Sequence, residues 1–156
     1  MIRPQDILVP SASGVCCKLG GFHIDPTRPV ERAIITHAHS DHARTGHGAV
    51  LATQETLDLM RLRYGANFAG STQALPYGES INLAGATITL HPAGHVLGSA
   101  QVAVEADGLR VVASGLDPTD RVVVAGLANP FVRPGAVVAA REGAVHPSGG
   151  QFAADQ

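Results

Sequence analysis

The run Thr36-His37-Ala38-His39-Ser40-Asp41-His42 carries three imidazoles and a carboxylate within six positions. Neutral imidazole is a good zinc ligand, and a carboxylate in the same loop can serve a second cation or orient a ligand. Alternate side chains of an extended chain share a side, so His37 and His39 should project together. If the chain then turns into a helix, Asp41 and His42 point back to a neighbouring position. One loop could thus serve two metals.

A second cluster reads HPAGHVLGSAQ, residues 91–101. Gly94 allows close backbone approach, and Gly98 with Ser99 permits a tight turn. His95 follows a strand end, as His37 does. Together His37, His39 and His95 would leave a fourth position open for water, as catalytic zinc requires. His91 reads as structural or as support behind the ligands. His23 and His47 read as supporting groups, and Asp25 as an acceptor for the far nitrogen of a ligating histidine.

Short strands are expected to hold these loops. Ile7–Val9, Val15–Leu19 and Phe22–Ile24 are extended candidates split by Pro and Gly. Ala33–Thr36 is a short apolar run feeding directly into the first histidine loop, and Ala49–Ala52 is another. Residues 53–63, TQETLDLMRLR, form the best helix, with Thr53 as N-cap and Gly65 as stop. Ala86–His91 alternates, with Ile88 and Leu90 on one face. Ala100–Glu105 and Leu109–Ala113 flank the hairpin signal Asp107-Gly108. The order of strands, helix and strands predicts an α/β or α+β fold.

Composition narrows the function classes. The 156 residues are 45% hydrophobic and 15% charged, so extended disorder is not expected. A net charge of −2 excludes a strongly basic nucleic-acid footprint, although bound cations would add positive charge where a phosphate sits. No run of signal-peptide or membrane-span length is seen, which points to a cytoplasmic location without membrane contact. Cys16 and Cys17 are adjacent and read as small apolar residues, not as a disulfide or a C-x-x-C pair.

THAHSDH resembles the H-x-H-x-D-H signature of the metallo-β-lactamase superfamily. HPAGHVLGSAQ is similar to the matching motif of its nuclease branch, which includes RNA 3′-end processing enzymes. GGFHIDPTRPVERAIITHAHSDHARTGHG looks most like the bacterial ligase-associated DNA exonucleases. The likeness runs from about Ile7 to Gly115. It implies a zinc-dependent phosphodiesterase on an αββα sandwich, of which residues 1–115 would be mainly the N-terminal half. By this resemblance His37, His39 and His95 bind one zinc. The resemblance also implies Asp41 and His42 at the second zinc and in catalysis, DNA as substrate and a DNA ligase as partner. Arg44, Arg61 and Arg63 are candidates for phosphate contacts, and a solvated helix face explains the last two equally well.

The chain departs from the family at VVASGLDPTDR. The family's metal-bridging Asp aligns with Leu116, and Asp117 comes one residue late. In a strand that slip reverses the side chain; in a loop Asp117 could still reach. Two zinc ions bring four positive charges, and without a bridging carboxylate they repel more strongly. One tightly held zinc and a weak second site are therefore expected. The family's later segments, with a final histidine ligand and a general acid, are not matched. Residues 116–156 form a divergent tail whose stretch 115–140 resembles the C-terminal segment of efflux-pump periplasmic adaptor proteins. A half-sandwich leaves a sheet face without a partner, so impaired activity and self-association are expected. The other readings are a metal-binding remnant without turnover and another hydrolase of the same fold.

Overall fold

The computed structural model of the chain describes residues 3–113. The elements are α1 (Pro4–Ile7), β1 (Val9–Ser11), β2 (Gly14–Cys17), β3 (Phe22–Ile24), β4 (Arg32–Ile34), β5 (His47–Ala52) and α2 (Gln54–Tyr64). There follow β6 (Ala69–Ala74), β7 (Ser80–Leu83), β8 (Ala86–Pro92), β9 (Ala100–Ala106) and β10 (Leu109–Ala113). They form two sheets. The first has the order β1-β2-β3-β4-β5-β6, antiparallel through β3 and parallel from β3 to β6. The second, β10-β9-β8-β7, is antiparallel throughout.

Period-2 alternation decides how the layers stack. Along β4 and the residue after it, Ile34 joins one core while Ala33 and Ile35 join another. In β5, Leu51 joins the first core, and Val50 and Ala52 the second. The first core lies between the sheets, where Phe22, Ile24 and Ile34 meet Ile88, Leu90, Val102 and Val104. The second lies under α2, where Leu57 and Met60 cover the other face of the first sheet. The described residues thus build an α+β fold of one helical and two sheet layers.

Helix α2 starts and stops where its composition directs. The Thr53 hydroxyl accepts the Thr56 N–H at 3.3 Å. Gly65 ends the helix at φ 86°, its N–H bonded to the Arg61 carbonyl. Met60 is fully buried, whereas Leu62 is 84% exposed. Met60→Ala should therefore cost about 2–5 kcal/mol and Leu62→Ala less than about 0.5 kcal/mol, read from urea midpoints.

Some expectations need correction. The strand predicted over Ile7–Val9 begins only at Val9: Ile7 closes α1, whose turn Asp6 caps through the Arg3 backbone N–H at 3.0 Å. The strand predicted over Val15–Leu19 stops at Cys17, and a turn through Lys18–Gly21 leads into β3. The chain does not enter a helix after His39. It makes one helical turn, with the His42 and Ala43 N–H groups both bonded to the His39 carbonyl, and then leaves it. The expectations for residues 116–156, Asp117 among them, fall outside the described residues. Among the described residues no helix is long and apolar enough to cross a membrane.

Candidate metal centre

Both histidine loops leave the sheets at the same end and are joined by main-chain bonding. The Ala100 N–H, at the start of β9, donates to the Thr36 carbonyl at the end of β4 (2.8 Å). The second loop is also fixed to the start of α2. There the Gly98 carbonyl accepts the hydroxyls of Thr53 (2.7 Å) and Thr56 (3.0 Å). Within that loop the Ser99 hydroxyl accepts the His95 N–H at 3.0 Å, and the Tyr77 hydroxyl donates to the Ser99 carbonyl at 2.8 Å. Arg63 anchors the first loop by donating to the Ala38 carbonyl. That contact, with the Arg61–Asp58 ion pair at 3.0 Å, gives both helix arginines a structural use.

Three imidazoles converge as a result. His39 Nδ1 lies 3.1 Å from His37 Nε2 and 3.2 Å from His95 Nε2. The rings stand edge to face around a common point, with centroids 4.8, 5.0 and 4.9 Å apart. A tetrahedral zinc with bonds of about 2.0–2.1 Å has ligand–ligand edges of roughly 3.3–3.4 Å. The two spacings to His39 Nδ1 come within a few tenths of an ångström of those edges, and all three ligand atoms lie within 4.8 Å of one another.

The hydrogen-bond inventory makes the same point. The Thr36 hydroxyl gives its one proton to Asp25 Oδ2 (2.5 Å), so at 2.9 Å it can only accept from His37 Nδ1. His37 Nε2 then holds a lone pair. His39 Nδ1 carries at most one proton and cannot satisfy both His37 and His95. A cation between the three nitrogens satisfies all of them. Burial, then the neighbouring His42, lower the His37 pKa, which favours the neutral ring that metals bind.

A second, smaller group lies beside the first. Asp25 Oδ2 accepts from His42 Nδ1 at 2.8 Å, and His42 Nε2 faces Asp41 Oδ2 at 3.5 Å. This bond to Asp25 raises the His42 pKa above its ordinary value. Asp25 also accepts the Thr36 N–H at 2.8 Å. One half-buried carboxylate thus sets the tautomers of His42 directly and of His37 through Thr36. Two sets of ligand atoms lie within 4.8 Å of one another, His37–His39–His95 and Asp25–His37–His42.

The expected residues are therefore sorted by geometry. His37, His39 and His95 meet; Asp41 and His42 form a second pair next to them; Asp25 supports both. His91, in β8, and His23, in β3, belong to neither set. His47 is buried at the start of β5, accepts the Val30 N–H at 3.3 Å, and is structural. Thr36 was missed by sequence reasoning. The only available signal was its place between an apolar strand and the first histidine.

No protein-family model matches this chain. Over 86 residues it is 42% identical to a probable DNA ligase of Opitutus terrae, an alignment covering 54% of this chain and 8% of that protein. Over 118 residues it is 31% identical to a ribonuclease of Thermus thermophilus, covering 60% of this chain and 27% of that protein. The chain thus spans well under a third of the length of either curated relative. Among solved structures it resembles a subclass B3 metallo-β-lactamase from a soil metagenome. The TM-score is 0.45 and the identity 21%, over 67% of this chain and 53% of that one. The described residues thus hold a candidate metal site in a chain similar over part of its length to a ribonuclease.

Proposed function

We propose that the chain is the metal-binding part of a zinc-dependent phosphodiesterase of the nuclease branch, with DNA as substrate. The observation that carries this reading is the meeting of His37, His39 and His95, with His39 Nδ1 within a few tenths of an ångström of a zinc tetrahedron's edge from each of the other two. The nuclease assignment draws on the two relatives, one a ribonuclease and one named for DNA ligation. A partnership with a DNA ligase and a cytoplasmic location belong to the same reading.

A zinc ion held by the three imidazoles would supply a Lewis acid for phosphoryl oxygen and for water near neutral pH. The chain's own groups do the rest. His37 and His42 are held in orientation by Thr36 and Asp25, and His42, whose pKa Asp25 raises, gives up a proton on binding. Asp41 is exposed, and its own backbone N–H holds its carboxyl below the usual carboxylate range. It is therefore ionised and available to a second cation beside His42. Two protein ligands at that position, against three imidazoles at the first, make it the weaker site.

Asp25 offers a test at a residue outside the triad. Asp25→Ala removes the acceptor behind His42 and frees the Thr36 hydroxyl to rotate. Zinc affinity should fall about 10–100-fold, read by competition with a chromogenic chelator. The function itself is tested by metal analysis after dialysis, combined with digestion of single-stranded and duplex DNA. One retained zinc and chelator-sensitive cleavage are expected. A chain that keeps no zinc, or cleavage indifferent to chelator, would refute the reading.

A further inference from the structure

Beside the first histidine loop runs an open groove lined by Thr27, Arg28, Pro29, Ser40, Arg44, Thr45 and Tyr64. Ser40 immediately precedes Asp41, and Arg44 follows His42 by two residues, so one wall of the groove is the metal loop itself. Arg28 and Arg44 are exposed, and among the described residues neither has an acidic partner. Arg3, Arg61 and Arg110, by contrast, are each tied to a carboxylate. Three aliphatic hydroxyls, from Thr27, Ser40 and Thr45, line the same space. Tyr64 adds a part-exposed aromatic ring, with the Arg63 guanidinium carbon 5.6 Å from its centroid.

We infer that this groove is a subsite for the phosphodiester backbone of a single strand, with Arg28 and Arg44 taking the phosphate that adjoins the reacting one. The inference rests on the nuclease reading and adds the path of the strand beyond the metals. Unpaired guanidiniums with hydroxyl donors match phosphate oxygens in charge and in hydrogen bonding. The aromatic wall favours a nucleic acid over a free anion, because single-strand grooves combine cations with a stacking surface. The subsite also answers the low net charge. Two cations placed beside the reaction centre can steer a polyanion although the chain as a whole is acidic.

The test uses the full zinc-treated chain and a fluorescent oligothymidylate of about ten nucleotides, with affinity measured against salt. For single strands log K falls with log salt by about 0.7 per phosphate contact. Arg28→Ala with Arg44→Ala should lower that slope by about 1.4 and weaken binding at low salt, with zinc content unchanged. Arg110→Ala removes one charge from an ion-paired hairpin and should leave the slope unaltered. If the parent chain binds the oligonucleotide and the double variant keeps the parent slope, the subsite is wrong and the nuclease reading stands. If the parent chain binds zinc but no oligonucleotide, both are wrong.

Discussion

His39→Ala is expected to lose zinc and all metal-dependent phosphodiester cleavage while remaining folded. His39 Nδ1 is the central nitrogen of the three, with His37 Nε2 at 3.1 Å and His95 Nε2 at 3.2 Å on either side. Its side chain is exposed, so truncation leaves no cavity in either core. Two imidazoles remain, too few for a catalytic zinc site, which uses three protein ligands. The melting temperature of the metal-free variant should match that of the metal-free parent. Zinc content after dialysis should fall to background, and cleavage with it. Residual cleavage equal to the parent's would locate the activity elsewhere.

Gly98→Ala should damage both the fold and the site. Gly98 has φ 75°, a conformation costly for any residue with a Cβ. A Cβ there would meet Thr53 Oγ1, Glu55 Cβ and Thr56 N, each at 2.8 Å. Two of these atoms belong to the cap of α2, which cannot move without loss of the bonds to the Gly98 carbonyl. Strain and overpacking together should cost about 2–5 kcal/mol. The loop would also shift, carrying His95 away from His37 and His39. Lower stability in urea should therefore accompany weaker zinc binding. Met60→Ala, expected to be similarly destabilising, should leave zinc affinity intact. That contrast separates a misplaced ligand from a merely weakened fold.

Much of the candidate site was readable because its histidines are dense and its strands are apolar. Ala33–Ile34–Ile35 alternates between two cores and delivers His37 to the sheet's end, as the run of apolar residues suggested. Thr53 and Gly65 bound α2 because capping is a local property. The Asp107-Gly108 hairpin was equally local, with φ of 51° and 75° at the two turn residues. What escaped depended on distant partners. Strand β6, AGSTQA, is mostly exposed and polar; its pairing with β5, and no pattern of its own, makes it a strand. Strand β7 is short and half exposed, defined by its register with β8. Thr36 acquires its role only because Asp25 approaches from eleven residues earlier in the sequence. Arg28, nine residues before His37, joins Ser40 and Arg44 only in the folded groove.

X-ray absorption at the zinc edge, on the chain loaded with one equivalent of metal, addresses the coordination itself. Three imidazole nitrogens at about 2.0–2.1 Å, with a light-atom fourth ligand, are expected. A sulfur shell at about 2.3 Å, drawn from Cys16 or Cys17, or fewer than three imidazoles, would contradict the account.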